Sequence, residues 1–264
     1  MNKDTFEARM RRFETAHDLS LVPGIFLVAR LDGRGFTRLT KELYPFEKPF
    51  DSRFRDYMVA TVEHLMQAGP RVIYGYTQSD EISLLFGRDD GIFDRRLRKL
   101  DSVLAGEASA CFSMKLSGIA CFDCRISQLP TEESVVDYFR WRQADATRNA
   151  LNAHCYWLLR QQGKSARQAD EALVGLSQPK KNELLFAAGI NFAKLPNWQK
   201  RGTGFYWESV EKHGRNPKTG EKTIALRRQL KVEMELPKQG AYDEFIRQLL
   251  RDSAPGAKRR SLES

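Results

Sequence analysis

The sequence predicts an α+β protein whose first half is a ferredoxin-like βαββαβ unit, an antiparallel sheet with helices on one face. Short apolar or β-branched runs alternate there with segments of helical spacing. Two of these runs are separated only by Gln78, Ser79 and Asp80, which indicates a hairpin. This order of elements hosts many functions, so it does not indicate an activity by itself.

The elements of the first half follow from the spacing of apolar residues. Residues 25–31 form a continuous apolar run, as expected for a buried strand. Residues 51–68 show helical spacing, and Gly69-Pro70 ends that helix. The predicted elements are a strand at 25–31, a helix at 51–68, hairpin strands at 71–77 and 81–87, a helix at 93–114 and a strand at 116–124.

The second half has a different pattern. Residues 131–252 are predicted to form a helical and β-ribbon region packed on residues 1–130. Thr131 is a predicted N-cap for a long helix, and Ser165 for a shorter one. The ribbon is predicted to turn at residues 216–220, and the polar, basic residues 253–264 are expected to be disordered.

The composition excludes several classes of protein. Hydrophobic residues make up 41% and charged residues 29% of the 264, an ordinary globular balance. No apolar run approaches the ~20 residues of a membrane span. The N-terminal segment lacks the apolar core of a signal peptide, so we expect a cytoplasmic protein that does not enter a membrane. Four cysteines are too few to predict a disulfide framework.

The charge favours a polyanionic partner. Lys and Arg number 43 against 34 Asp and Glu, a formal net charge of +9, and nucleic acid is the usual partner of such a chain. The basic residues form clusters at 95–99, 194–215, 227–231 and 258–260. Each cluster alone could be a solvated helix face, but together they favour nucleic acid.

Two acidic residues occupy matching ends of predicted strands. Asp32 follows the first strand and Asp80 lies in the hairpin, and these strands are central neighbours in a βαββαβ sheet. Two carboxylates at one edge repel each other unless a cation binds, and Mg²⁺ uses one or two carboxylates plus substrate phosphates. Asp-Gly is also a common turn dipeptide. We nevertheless predict a site for two Mg²⁺ ions, which is typical of phosphoryl transfer.

The backbone after Asp32 is a predicted part of the same site. Gly33 allows close approach to a ligand, so its carbonyl is a predicted third metal ligand. The amides that follow could face a triphosphate. These are the amides of Arg34, Gly35, Phe36 and Thr37.

Five motifs in the same order resemble the tRNA(His) guanylyltransferase family, and more narrowly its bacterial and archaeal "like" members. The resemblance covers about residues 5–210. The motifs are Arg30-Leu31-Asp32-Gly33-Arg34, Lys48-Pro49 with Asp51, Tyr76-Thr77-Gln78-Ser79-Asp80-Glu81, Trp141-Arg142-Gln143-Ala144-Asp145 and Lys181-Asn182-Glu183.

The resemblance implies a polymerase palm that adds nucleotides to the 5′ end of tRNA, opposite in direction to ordinary polymerases. It implies ATP and GTP or another nucleoside triphosphate as substrates, tRNA as partner and a homotetramer. Activation is by 5′ adenylation or an existing 5′-triphosphate. The "like" members repair 5′-truncated tRNAs under the direction of a template.

The resemblance also implies roles for individual residues. Asp32, Asp80 and the adjacent acid Glu81 are the expected catalytic residues, and Asp32, Gly33 and Asp80 the metal ligands. The expected triphosphate contacts add Lys48, Asp51, Ser79, Arg95, Arg96 and Lys99 to the loop residues above. Arg30, Lys181 and Asn182 are expected at a second phosphate or 5′-end site. Arg148, Lys200 and Arg201 are expected to contact tRNA.

One departure from the family pattern bears on the substrate. Eukaryotic guanylyltransferases carry a histidine, tied to recognition of tRNA(His), where this chain has Thr147. The absence favours 5′-end repair over strict tRNA(His) specificity, although G−1 addition to tRNA(His) stays open. Two other interpretations also stay open: a palm enzyme that makes a cyclic nucleotide, and an RNA-binding protein without activity.

Overall fold

The structure is a computed structural model, and it describes residues 3–69, 71–215 and 222–253. The helices are α1 Lys3–Thr15, α2 Phe36–Arg38, α3 Ser52–Gln67, α4 Leu97–Leu116, α5 Glu132–Gln161, α6 Ala166–Leu173, α7 Gln178–Ala187, α8 Asn197–Arg201 and α9 Gly240–Ser253. A π-helical turn at Leu39–Leu43 and 3₁₀ turns at Ile92–Arg95 and Phe192–Lys194 connect them. The strands are β1 Phe26–Arg34, β2 Val72–Gln78, β3 Glu81–Phe86, β4 Cys121–Leu129, β5 Thr203–Arg215 and β6 Lys222–Glu233.

All six strands form one antiparallel sheet in the order β4-β1-β3-β2-β5-β6. The predicted ribbon, β5 and β6, is therefore not a separate layer. Residues Thr203–Tyr206 of β5 pair with β2 and satisfy the backbone groups of an otherwise open edge. The predicted ribbon turn at 216–220 lies outside the described residues, as do residues 254–264 of the predicted disordered tail.

Helices cover both faces of the sheet. α3 and α4 pack on one face around a cluster that contains Leu31, Ile82 and Phe112. α5 and α9 pack on the other face around Val28, Tyr74 and Phe139. α3 and α4 of the first half thus lie on one face, while α5 and α9 of the second half cover the other, which gives a mixed α/β fold.

Element boundaries differ from the predictions mainly around β4. The strand predicted at 116–124 begins only at Cys121 and runs to Leu129. Leu116 still belongs to α4, because its apolar side chain continues the buried stripe of that helix. Thr131 and Ser165 are confirmed as N-caps, each in a capping box.

Several helices were not predicted from the spacing of apolar residues, among them α1, α7 and α9. Among the described residues, no helix is long and apolar enough to cross a membrane.

A cluster of aromatic rings joins α2, α3, α4 and β4 beneath the sheet edge that carries Asp32. Phe112 is fully buried, and its ring centroid lies 5.1 Å from that of Phe36, 5.6 Å from Phe54 and 5.7 Å from Phe122. The segment that follows Asp32 is therefore anchored by ring packing.

We expect Phe112→Ala to lower the free energy of unfolding by about 3–5 kcal/mol, because it leaves a cavity in this cluster. Urea denaturation measures the loss. The matched control is Met114→Ala on the same helix, whose side chain is 81% exposed and whose truncation should change stability by less than about 0.5 kcal/mol. Equal losses in the two variants would contradict this assignment of the core.

Candidate active site

The β1–β3 register brings the predicted acidic residues to one end of the sheet. Asp32 lies directly opposite Glu81, and Ser79 and Asp80 form the turn between β2 and β3. The amide of Gly33 donates to the carbonyl of Asp80 across 3.1 Å, so the backbones of the two segments are joined at this point. The hydroxyl of Thr77 donates to the carbonyl of Glu81 across 2.8 Å and closes the turn from the other side.

The electrostatics of the turn favour binding of a cation. Burial raises the pKa of Asp80, and the negative charge of Asp32 raises it further, against hydrogen bonds from its own amide and from Ser79. Both effects disfavour the charged carboxylate in the protein alone. A cation between Asp32 and Asp80 would favour the charged carboxylates and so lower the pKa of Asp80.

Glu81 faces α5 between two arginines. Its carboxylate lies 3.0 Å from Nε of Arg142 and 3.9 Å from Nε of Arg30. Burial nevertheless raises the pKa of Glu81 to about 6, while the two arginines oppose the shift and Asp32 adds to it. Glu81 therefore lies in an ion-pair network beside the turn.

Gly33 is required by close packing. A Cβ atom built at this position would lie 2.5 Å from the ring of Phe36, which belongs to the aromatic cluster. The chain can therefore bend tightly after Asp32, with Gly35 at φ 75° preceding α2. Phe36 is buried in the core, whereas Arg34, Gly35 and Thr37 are exposed beside the site.

A pocket of about 240 Å³ opens beside the acidic turn, between residues 36–58, the β2–β3 turn, α5 and α8. It brings several of the predicted nucleotide contacts together. The predicted residues in its lining are Phe36, Thr37, Lys48, Asp51, Ser79 and Asp80. Asp32 lies next to the pocket on β1 rather than in its lining.

Two predicted triphosphate contacts in this pocket have internal partners. The Lys48 ammonium donates to the carbonyl of Thr40 and lies 5.7 Å from the ring centre of Trp157. Asp51 is the N-cap of α3 and accepts from the amides of Glu47, Arg53 and Phe54. Asp51 therefore shapes the pocket wall, while Lys48 is better placed to meet a ligand.

The structure separates Arg95, Arg96 and Lys99 from the acidic turn. Arg95 is buried, and its guanidinium donates to the carbonyl of Ile25 at the start of β1. The seven residues from Ile25 to Asp32 span roughly 23 Å of strand. Within one chain these three residues lie away from the acidic turn, because β3 runs away from the turn before α4 begins. Their contact with a triphosphate stays a prediction.

The predicted 5′-end residues are also not adjacent. Arg30 lies by Glu81 and the Arg142 end of α5, whereas the Lys181 ammonium donates to Asn152, ten residues further along α5. Ten helical residues rise about 15 Å. Asn182 bonds to the carbonyl of Gln178 within α7. Arg30 and Lys181 therefore have their partners about three turns apart on α5, and their joint contact with one phosphate stays a prediction.

The predicted tRNA contacts differ in accessibility. Arg148 is exposed and paired with Asp145 at 2.8 Å. Lys200 is buried, and its ammonium donates to the carbonyl of Ala193 across 2.7 Å, so its contact with tRNA stays a prediction that this arrangement does not favour. Arg201 donates to the carbonyl of Leu236 and remains partly exposed.

The sequence patterns pointed to no role in the site for four residues. Trp157 and Trp198 line the pocket, and Arg55 lies 4.8 Å from the ring centre of Trp198. Arg142 is a buried partner of Glu81. Only the Arg142–Asp145 spacing, three residues along a predicted helix, carried a signal for this network.

Among the described residues, no three side chains of His, Cys, Asp or Glu converge to hold a metal ion. A cation at Asp32 and Asp80 would therefore need oxygens from the backbone and from a substrate. Mg²⁺ is commonly bound in this way.

Comparison with known proteins identifies the family. A family model described as tRNAHis guanylyltransferase matches residues 7–130, and one described as Thg1 C terminal domain matches residues 133–242. The chain belongs to the tRNA(His) guanylyltransferase family. It is accordingly a nucleotidyltransferase, and the family supports addition of G−1 to tRNA(His) at that level.

Relatives support the assignment along most of the chain. A probable tRNA(His) guanylyltransferase of Drosophila melanogaster is 35% identical over 70% of this chain and 68% of its own length. The tRNA(His) guanylyltransferase of Debaryomyces hansenii is 34% identical over 77% of this chain and 80% of its own length.

Solved structures share the fold. A bacterial tRNA(His) guanylyltransferase (Thg1)-like protein in complex with GTP aligns with a TM-score of 0.70 at 28% identity, covering 93% of this chain and 99% of that one. A structure of such a protein in complex with ATP gives a TM-score of 0.71 at 29% identity, with the same coverage.

Asp51 generates a prediction about acid stability. Hydrogen bonds from Arg53 and from three backbone amides hold the pKa of Asp51 at about 2, below its usual 3.8 and against the effect of burial. A carboxyl with a depressed folded pKa stabilises the fold above its unfolded pKa, and this is lost as the pH falls through the folded value. The advantage of wild type over Asp51→Asn should therefore shrink by about 2 kcal/mol between about pH 5 and pH 2.

Urea denaturation across this pH range measures the difference. Asp56→Asn is the control, because Asp56 is an exposed acid on the same helix whose ion pair with Arg55 should contribute little. A constant difference between wild type and Asp51→Asn at all pH values would contradict the assignment.

Proposed function

We propose that this chain adds nucleotides to the 5′ end of tRNA in the 3′-5′ direction under the direction of a template, and that its main substrates are 5′-truncated tRNAs. The observation that carries the proposal is the meeting of Asp32 and Asp80 beside the pocket, joined by the Gly33–Asp80 hydrogen bond. The strand order β4-β1-β3-β2, with α3 and α4 on one face, supports the interpretation of this unit as a ferredoxin-like polymerase palm.

The residues present fit two Mg²⁺ ions. Asp32, Asp80 and the Gly33 carbonyl would hold them, because the pKa of Asp80 is raised by burial and by a second carboxylate that a cation would neutralise. When bound, such ions stabilise the charge of a phosphoryl group and lower the pKa of the attacking hydroxyl.

The pocket residues would bind the nucleoside triphosphate. Lys48 and Thr37 lie in the pocket wall on one side of the turn, and Ser79 and Asp80 on the other. Trp157 and Trp198 supply apolar surface for a base at the α5 and α8 side. The protein's part is to hold the 3′-hydroxyl of the nucleotide toward the 5′ end of the RNA.

The proposed reaction balances as an ordinary phosphoryl transfer. The 5′ end carries an adenylate or a triphosphate. The 3′-oxygen of the incoming nucleotide forms a bond to the 5′ phosphorus, the bond to AMP or pyrophosphate breaks, and the hydroxyl proton passes to solvent. The proposal thus includes ATP as an activating substrate and GTP or another triphosphate as the added one.

Thr147 supports the repair assignment. Its hydroxyl lies 2.8 Å from the carbonyl of Lys200 and 3.0 Å from that of Gln143, so it ties α5 to α8. A residue used in this way offers no donor for a base of a specific tRNA. The similarity to bacterial structures described as guanylyltransferase-like points in the same direction.

A homotetramer is proposed on the family resemblance. Phe6, Met10 and Phe13 on α1 are exposed and apolar, which is consistent with burial against another copy.

The central test supplies Mg²⁺, nucleoside triphosphates and a tRNA that lacks its first 5′ nucleotide. Wild type should extend the 5′ end, and Asp80→Asn should reduce the rate by about 100-fold or more, because the site loses a charged ligand. Gel analysis of 5′-labelled RNA measures it, with the exposed Asp137→Asn on α5 as control. Absence of extension would sink the proposal, and a cyclic nucleotide made without RNA would select the cyclase interpretation.

Substrate choice gives a second test. Truncated tRNA(His) and a truncated tRNA of another identity should be extended at rates within about threefold, since a hydroxyl engaged by two carbonyls reads no anticodon. Single-turnover rates on matched transcripts measure this. A preference for tRNA(His) of two orders of magnitude would overturn the repair assignment but not the nucleotidyltransferase activity.

A further inference from the structure

The acidic turn is attached to α5 through one buried guanidinium. The Arg142 side chain is only 4% exposed, and its Nε lies 3.0 Å from Oε1 of Glu81. Its Nη2 donates to the carboxylate of Asp145 across 2.5 Å. The ring centre of Trp141 lies 4.1 Å from the guanidinium carbon. Arg142 is thus held from three sides.

Glu81 needs this counter-charge because of its register. It lies directly opposite Asp32 on β1 and next in sequence to Asp80. Like charges on directly opposite residues destabilise a strand pair. Arg30 is a second cation near Glu81, but its Nε is 3.9 Å away. Arg142 therefore supplies the nearest positive charge.

The partner side of the network has further contacts of its own. Asp145 also accepts from Arg148 at 2.8 Å and from Asn149 at 3.2 Å. The helix that carries Arg142 is fixed on the sheet by the fully buried Val135 and Phe139. A helix that is packed firmly on the sheet, α5, therefore forms an ion pair with Glu81, the first residue of β3.

We propose that Arg142 is a positioning residue for the cation-binding carboxylates. By holding Glu81 against α5 it fixes the start of β3, and through the backbone it fixes the direction of Asp80 toward Asp32. Glu81 anchors the turn and does not touch substrate. The inference rests on the proposed function for the claim that Asp32 and Asp80 bind catalytic cations. The effect of Arg142 on the start of β3 does not depend on that function.

Four variants separate this role from general stability. Arg142→Met removes the charge and keeps the length, whereas Arg142→Lys keeps the charge and loses the fork that pairs with Glu81 and Asp145 at once. The double variant Arg142→Met with Glu81→Gln removes both charges, so that no buried carboxylate is left unpaired. The matched control is Arg140→Met on the same helix, where an exposed guanidinium pairs with Asp243 instead.

The first readout needs neither metal nor substrate. Hydrogen–deuterium exchange of the metal-free protein should be faster in the peptide that spans 77–83 for Arg142→Met, with α4 peptides unchanged. The double variant should return the exchange toward wild type, and Arg140→Met should leave it unchanged.

The second readout is Mn²⁺ binding, followed by the paramagnetic signal of the free ion. The affinity should fall about 10-fold or more in Arg142→Met, as is typical when a group that orients metal ligands is lost. It should fall less in Arg142→Lys and recover in part in the double variant. The apparent Mg²⁺ requirement of 5′ extension should rise in parallel.

Several results would overturn the proposal. Tighter Mn²⁺ binding in Arg142→Met would show that Arg142 merely repels cations. A lower melting temperature with unchanged exchange at 77–83 would show a purely structural role. If Arg142→Met does not fold, Arg142→Lys decides by the same two measurements. A wild type that neither binds Mn²⁺ nor extends tRNA counts against the proposed function, and the exchange data then still decide the positioning role.

Discussion

The repulsion among three carboxylates at one end of the sheet is the constraint on which the site depends. The β1–β3 register places Asp32 opposite Glu81, and the tight turn adds Asp80 beside them. The surroundings of these carboxylates differ. The buried Arg142 of α5 and the partly buried Arg30 of β1 oppose the charge of Glu81, while Asp32 and Asp80 form no ion pair within 4 Å in the described part of the chain. This difference is why we propose Asp32 and Asp80, rather than Glu81, as the cation ligands at this end of the sheet.

The positions of Asp32 and Asp80 followed from the sequence, because strand order and a three-residue hairpin connection fix which ends meet. The N-caps Thr131 and Ser165 followed from local chemistry as well. The position of Arg95 could not be predicted from the sequence, because it depends on the direction in which β3 leaves the turn. Lys200 could not be assigned either, since burial of a lysine under a neighbouring carbonyl is a tertiary property that leaves no local pattern.

The pocket residues also show what the sequence alone does not predict. Lys48 and Asp51 are both motif residues, and the structure gives them different roles. The Asp51 carboxylate accepts hydrogen bonds from backbone amides and from Arg53, so it caps the start of α3. The Lys48 ammonium lies at the pocket between Thr40 and Trp157. A motif match names candidate residues for a site, and the hydrogen bonds that each already makes decide which of them can still meet a ligand.

The pairing of β5 with β2 has a consequence for how this chain could be recombined with its relatives. The two regions matched by separate family models share one continuous sheet, and Gly202 passes so close to Thr77 that a Cβ there would lie 2.5 Å from its carbonyl oxygen. A chimera that exchanged only the C-terminal region would have to reproduce this edge as well as the α5 grip on Glu81. An exchange that keeps all six strands together would leave this shared sheet intact.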